Sequence, residues 1–153
     1  MAKLDNRILQ LYDSIGESLK FRIIKILSVE NKVATGRLIN SIDVVTGGKN
    51  GKYFIELLME RYGIYVNQGR KPGGKMPPEK AILNWMQVKG IPLNLLWPIR
   101  KSIAINGIPG VFFIEESIKR IENDFQKEIS DKWGNEFAEE ISNQLQNALK
   151  LTN

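Results

Sequence analysis

The chain has 153 residues, 42% hydrophobic and 25% charged, the composition of a globular sequence of single-domain length. It contains no Cys and no His, so zinc and iron–sulfur centres, thiol nucleophiles and histidine-based triads all lack their essential residue. Its formal charge of +5 is uneven: residues 1–48 carry seven basic and five acidic side chains, residues 49–110 ten and three, and residues 111–153 five and nine.

Carboxylate-only Mg²⁺ sites and carboxylate acid–base pairs are the chemistry this composition leaves open. A basic middle with an acidic tail fits nucleic acid against the middle, and it equally fits one subunit's middle against another's tail. No apolar run reaches the ~18 residues of a membrane span. The segment Met1–Arg7 is charged and has no apolar core, so no secretory targeting is expected and the chain is expected in a cytoplasm.

Residues 5–30 read as a helix. Ile8, Leu11, Tyr12, Ile15, Leu19, Ile23, Ile26 and Leu27 recur at spacings of three and four, one face of a 3.6-residue period. Asp5 suits the N-cap. Gly16 interrupts the run at a cost of roughly 1 kcal/mol relative to Ala, and a bend is expected there. Residues 35–42 read as one or two helical turns packed by Leu38, Ile39 and Ile42.

Residues 42–69 read as a hairpin and sheet. Residues 43–46 form a strand, 47–51 a turn and 52–59 the returning strand, with Asn50-Gly51 the strongest short hairpin signal in the chain. Tyr53, Ile55 and Leu57 alternate with Phe54 and Leu58, so both faces carry apolar surface. That pattern predicts a strand covered on both sides, by helices or by a neighbour. Residues 62–69 form a third element, extended or part-helical.

Residues 70–77 are a basic loop with Arg70, Lys71 and Lys75, too rich in Pro and Gly for a ladder or helix of its own. Residues 78–106 read as a helix pair. The first helix starts at Pro78 with Glu79 in its first turn. Its apolar face is Ile82, Trp85, Met86 and Val88, and it stops at Lys89-Gly90. The second runs from about residue 94 to 106, with Pro98 tolerated in its first turn. Residues 107–110 form a tight turn.

Residues 111–150 are C-terminal helices. Their apolar positions are Ile114, Ile118, Ile121, Phe125, Ile129, Trp133, Phe137, Ile141, Leu145 and Leu149, and after Ile121 the step is always four. Each such step overshoots the helical period by about 40°, so the stripe spirals. Either Gly134 breaks the run into two helices, or successive turns touch different neighbours. An oligomer offers the second arrangement, which makes Trp133, Phe137, Ile141 and Leu145 the expected subunit interface. The whole reads as a single α+β domain over residues 1–153: a small antiparallel sheet with a β-hairpin, packed by an N-terminal helix and a long C-terminal helix.

No set of catalytic, cofactor-binding or metal-ligating residues emerges, and no enzymatic activity is expected. Residues 69–75 fail the G-x-x-x-x-G-K-[ST] phosphate-loop pattern. The simplest reading of that loop is a solvated one; contact with DNA or with an acidic neighbour is the other. Glu115-Glu116 and Glu139-Glu140 are adjacent on a helix and point about 100° apart, so they do not pair. Trp85, Trp97 and Trp133 lie on apolar helical faces without interleaved cations, as core or interface anchors do.

The order of parts resembles the neck and tail-completion (head–tail joining) proteins of tailed bacteriophages. In these a "T-G-x-L-x-x-S" segment precedes a hairpin, and a "Y-A-x-Y-V-E-x-G-T" segment precedes a loop and a closing helix. Thr35, Gly36, Leu38 and Ser41 match the first; Tyr62, Tyr65, Val66 and Gly69 match the second, with Gly63 for Ala and Asn67 for the usual Glu. Residues 110–114 resemble the "P-F-L" start of the last helix, and the helix pair at 78–106 is longer than the simplest members carry. The resemblance covers about residues 5–130. It implies a structural virion subunit of a homo-oligomeric ring at the head–tail junction. Such a ring contacts other neck, portal-connector and tail-tube proteins, with packaged DNA near its channel, no membrane and no cofactor. Arg70, Lys71 and Lys75 then form an interface or DNA-channel loop. The alternative is a cytoplasmic nucleic-acid-binding module using the basic 70–101 region.

Overall fold

The computed structural model describes residues 2–29, 36–49 and 51–150, without the side chains of residues 2–5, 49, 144 and 147–150. The last residue of the expected first helix, Glu30, and the first residue of the first motif, Thr35, lie outside the described residues. The chain is α+β, with two small antiparallel sheets among seven helices in this described part.

Helix α1, Ala2–Val29, forms because its apolar residues share one face; on that face Ile8, Tyr12, Ile15, Leu19, Ile23 and Leu27 are buried. It begins three residues ahead of Asp5, which therefore lies inside the helix and not at its cap. It is also unbroken at Gly16. A Cβ there would meet Thr46 Cγ2 at 2.8 Å, so this glycine is a contact point with the sheet and not a bend. Helix α2, Arg37–Ser41, follows Gly36, which takes the left-handed conformation at φ 74°.

Strands β1, Asp43–Lys49, and β2, Lys52–Leu58, pair antiparallel from Asp43 opposite Leu58 to Lys49 opposite Lys52. Only residues 50 and 51 lie between the paired ends, as the Asn-Gly signal predicts. The ladder extends three residues further than the sequence suggests, through Gly47 and Gly48. Both lie under aromatic rings: a Cβ would meet the Phe54 ring at 2.7 Å from Gly47 and Tyr53 Cδ1 at 2.4 Å from Gly48. The inner face puts Ile55 in the core, and the Tyr53 ring centroid lies 5.3 Å from that of Tyr12. Among the described residues the outer face is left open: Val45, Phe54 and Leu58 are exposed. Of the covers expected from the pattern, the helices supply the inner one, and the outer face is left to a neighbour. Lys20 Nζ on α1 donates to Asp43 Oδ1 at 3.1 Å. That bond, then the Val44 N–H and the Lys20 charge, hold the Asp43 carboxyl below its ordinary range.

Residues 62–69, read as extended or part-helical, contain helix α3, Gly63–Gln68. Then come β3, Gly69–Arg70; α4, Glu79–Lys89; a 3-10 turn, Leu93–Leu95; α5, Leu96–Asn106; and β4, Ile108–Pro109.

Helix α6, Phe113–Trp133, ends where Gly134 takes φ 89°, and α7, Asn135–Lys150, runs back along it. Ser142 Oγ donates to Glu122 Oε1 at 2.7 Å and Gln146 Nε2 to the same oxygen at 3.0 Å. This reversal answers the spiralling stripe within the chain. Once Gly134 divides it, each half needs only its own direction of cover. Ile141 and Leu145 are each 2% exposed in the common core with Ile121 and Ile129. They are core residues, not the subunit interface expected of them. Phe137 and Trp133 are partly buried against the same core. Phe137 meets Tyr12 edge-on at 6.5 Å, and the Arg7 guanidinium lies 5.2 Å above the Trp133 ring. Among the described residues no helix is long and apolar enough to cross a membrane.

Candidate assembly surface

Residues 71–107, here called the lobe, are rooted on the body by β3 and β4. These strands pair Gly69 with Pro109 and Arg70 with Ile108. The sequence places residue 69 at the end of the sheet region and reads residues 107–110 as a turn, without pairing the two. The ladder exists because glycines let the outgoing and returning chain approach closely. A Cβ on Gly69 would meet Ile108 O at 2.2 Å, and one on Gly107 would meet Arg70 O at 2.1 Å. Both glycines also hold positive φ, 74° and 69°, which L side chains rarely adopt.

The root is fixed to α6 by Asn67, whose side chain is wholly buried. Ile114 N–H donates to its Oδ1 at 3.0 Å, and its Nδ2 donates to Glu115 Oε2 at 2.8 Å. Its backbone oxygen accepts from Phe112 N–H at 2.9 Å. The first turn of α6 is therefore capped by a residue far away in sequence, satisfying a donor that a helix start leaves orphaned. The turn into α6 puts Phe112 in the left-handed region at φ 52°. Asn67 stood in the sequence only as a departure from a motif, and no local signal marks its role.

The basic loop is tied down more than its Pro and Gly content implies. Gly73 N–H donates to Ala104 O at 2.8 Å, and the Arg70 guanidinium donates to Lys75 O. Arg100 joins the far end of the loop through Pro77 O at 3.0 Å and Glu79 Oε2 at 3.1 Å. Of the predicted loop cations, Arg70 is half-buried by its tie, while Lys71 and Lys75 are exposed.

Helices α4 and α5 pack chiefly on one another. Met86 is buried and Ile82, Leu96, Ile99 and Ile103 are half-buried on the inner side. The outer side is apolar too. Ala81, Trp85 and Val88 stand at helical spacing on α4 and are exposed. On α5, Trp97 and Ile105 are 58% and 56% exposed, with the Lys101 ammonium 4.8 Å over the Trp97 ring between them. Leu93, in the connecting turn, is 61% exposed. The single face read for α4 thus divides: Ile82 and Met86 point inward, Trp85 and Val88 outward. The signal was present in α5, where more apolar residues stand than one face can hold.

Residues 70–107 carry seven cations and one acid, while the rest of the chain carries fifteen and sixteen. The excess positive charge of the protein therefore resides in this segment. A surface that is both basic and apolar suits a macromolecular contact. Among the described residues no group of three or more acids is placed to hold a metal ion. A groove of about 570 Å³ lies between the end of α1 and the start of α6, beside Val29 and Phe112; its rim charges Glu116 and Arg120 pair with each other at 2.8 Å. No protein-family model, curated protein or solved structure matches the chain.

Proposed function

We propose that the chain is a structural virion protein, a neck or tail-completion subunit that works as a member of a ring at the head–tail junction of a tailed bacteriophage. It acts by assembly and not by catalysis. The observation that carries this reading is the lobe: a helix pair apolar on its inner and outer sides, as helices buried in larger assemblies are. The motif residues behind the resemblance support it. Ser41 Oγ donates to Leu38 O at 2.7 Å and accepts from Glu60 N–H at 2.9 Å, which ties the first motif to the approach of the second. Gly69, which closes the second motif, is a glycine of the lobe root. In the ring, Arg70, Lys71 and Lys75 face packaged DNA or an acidic protein surface, and portal-connector and tail-tube proteins lie above and below.

The test is the mass of the protein alone and after mixing with phage portal and tail proteins, together with its detection in purified virions. A ring in solution or in the particle is expected; absence from virions that are otherwise complete ends the reading. The ratio of seven cations to one acid over residues 70–107 favours a second reading, a nucleic-acid-binding module. That reading requires duplex binding whose logarithmic salt slope reports several phosphate contacts, lost when Lys71 and Lys75 are neutralised.

A further inference from the structure

We propose that the outward face of the lobe docks on a second copy of this chain, against the acidic corner where α6 turns into α7. The inference rests on the ring reading and names the surfaces that join its subunits.

The lobe needs cover. It is a 37-residue segment whose one fully buried large apolar side chain is Met86. Units below about 40 residues usually rely on disulfides, metals or association. With no Cys or His in the chain and Glu79 the one acid of this segment, association is what remains.

The charges identify the cover. Around Gly134, residues 128–140 carry Glu128, Asp131, Glu136, Glu139 and Glu140 against Lys132 alone, and Lys132 is held by Glu128 at 2.6 Å. Asp131, Glu136 and Glu139 are exposed. On the lobe, Lys80 and Lys89 are exposed on α4 beside Trp85 and Val88.

The placement of these charges favours a contact between chains. The lobe is rooted at the N-terminal end of α6, and the acidic corner lies at its C-terminal end. The 21 residues of α6 separate root and corner by about 30 Å at 1.5 Å per residue. That exceeds the ~8 Å reach of exposed charges at physiological salt. Among the described residues Lys80 and Lys89 form no ion pair with Asp131, Glu136 or Glu139, so the complementarity of lobe and corner is left for the next molecule. A contact between two unlike surfaces is head-to-tail, and repetition of it closes a ring when the rotation permits.

A second copy fits this face better than a nucleic acid does. The outward stripe is aliphatic and indole surface, and Lys101 already occupies the Trp97 ring on which a base would stack.

The experiment is sedimentation and native mass spectrometry of the full chain over a range of concentration and salt. Wild type is compared with Trp97→Ser, a lobe reversal (Lys80→Glu with Lys89→Glu) and a corner reversal (Glu136→Lys with Glu139→Lys). All these positions are exposed, and circular dichroism verifies that each variant is folded. Oligomers of wild type are expected. Trp97→Ser and each reversal alone should weaken association by at least about tenfold, the equivalent of 1.4 kcal/mol. The two reversals combined should restore it.

Oligomers indifferent to all these changes overturn the docking while leaving a ring built through other surfaces. Reversals that each disrupt but do not rescue one another overturn the pairing of lobe with corner. A wild type that is monomeric at every concentration overturns self-docking. Presence or absence in virions then decides separately whether the ring reading survives with another partner. Monomers that bind duplex DNA through Lys80 and Lys89 overturn both.

Discussion

In the body, Tyr12, Leu19, Ile121 and Leu145 vanish from solvent because three helices and a hairpin close around them. In the lobe, two helices of 11 residues each leave Trp85, Trp97 and Ile105 in water. The two regions use the same kinds of side chain, so hydrophobic content is not what separates them. The number of layers is. A helix hides one stripe against one partner, and enclosing a core takes layers on more than one side. The body has α1, the hairpin and the α6–α7 pair; among the described residues the lobe has α4 against α5, with Trp85, Val88, Trp97 and Ile105 exposed on the outside. Charge divides the same way, near balance in the body and strongly positive in the lobe. The body is built to be a stable object, and the lobe to be completed by one.

The comparison breaks most completely at Gly134. A chain cut there loses Phe137, Ile141 and Leu145 from the core. At about 1.5–3 kcal/mol for each large apolar side chain, that removes a large share of a typical net stability of about 5–15 kcal/mol. The truncated protein should lose its cooperative thermal melt, read by circular dichroism. A sharp melt from that fragment would mean α7 is dispensable to the body.

A gentler test sets one buried residue of each region against the other. Leu145→Ala should cost about 2–5 kcal/mol in urea unfolding of the whole molecule. Met86→Ala removes a side chain just as buried, but in the lobe. It should leave the main unfolding midpoint almost in place while raising amide exchange over residues 71–107. A global shift equal to that of Leu145→Ala would show the two regions to be one cooperative unit.

Asn67→Ala strikes the joint between them. It leaves Ile114 N–H buried without its acceptor, a loss of about 1–3 kcal/mol. Faster exchange should appear first at the start of α6, and protection unchanged there would remove Asn67 from its capping role.

The smallest effect belongs to Asp43, at the edge of the sheet. Its carboxyl is held below the ordinary range, so its contribution is present at neutral pH and fades as pH falls through that lowered value. Asp43→Asn should flatten the acid limb of the stability curve slightly and leave the neutral region almost unchanged.

Much of the body was legible in the sequence. The spacing of Ile8 through Leu27 gave α1, and Asn50-Gly51 gave a hairpin with two residues between its paired ends. What escaped depends on contacts across long stretches of chain. The four-residue step from Ile121 onward fits a reversal at Gly134 as well as a set of neighbours, and what separates them is the burial of Ile141 and Leu145 with Ile121 and the bonds of Ser142 and Gln146 to Glu122. The β3–β4 ladder joins residues far apart, and its signal is glycine, which also marks ordinary turns. Asn67 caps a helix 47 residues away. On α4, Met86 and Val88 cannot share the one face expected of them, because two residues of helix turn them about 160° apart. Of the candidate site, the cations of the loop were visible at once; the apolar outer stripe beside them was not.

The buried stripe of α1 has a consequence for the order in which the molecule is made. Its partners Phe113, Ile118, Ile121 and Leu145 come late in the chain. At about 5–20 residues per second, the ribosome takes on the order of ten seconds to reach them after α1 emerges. During that interval the hairpin and the α4–α5 pair, whose contacts are local, can already form. The longest apolar stripe in the protein meanwhile waits in solution without its lid. A nascent chain of this design is most exposed to aggregation between the emergence of α1 and that of α6, and a chaperone that holds amphipathic helices would act on α1.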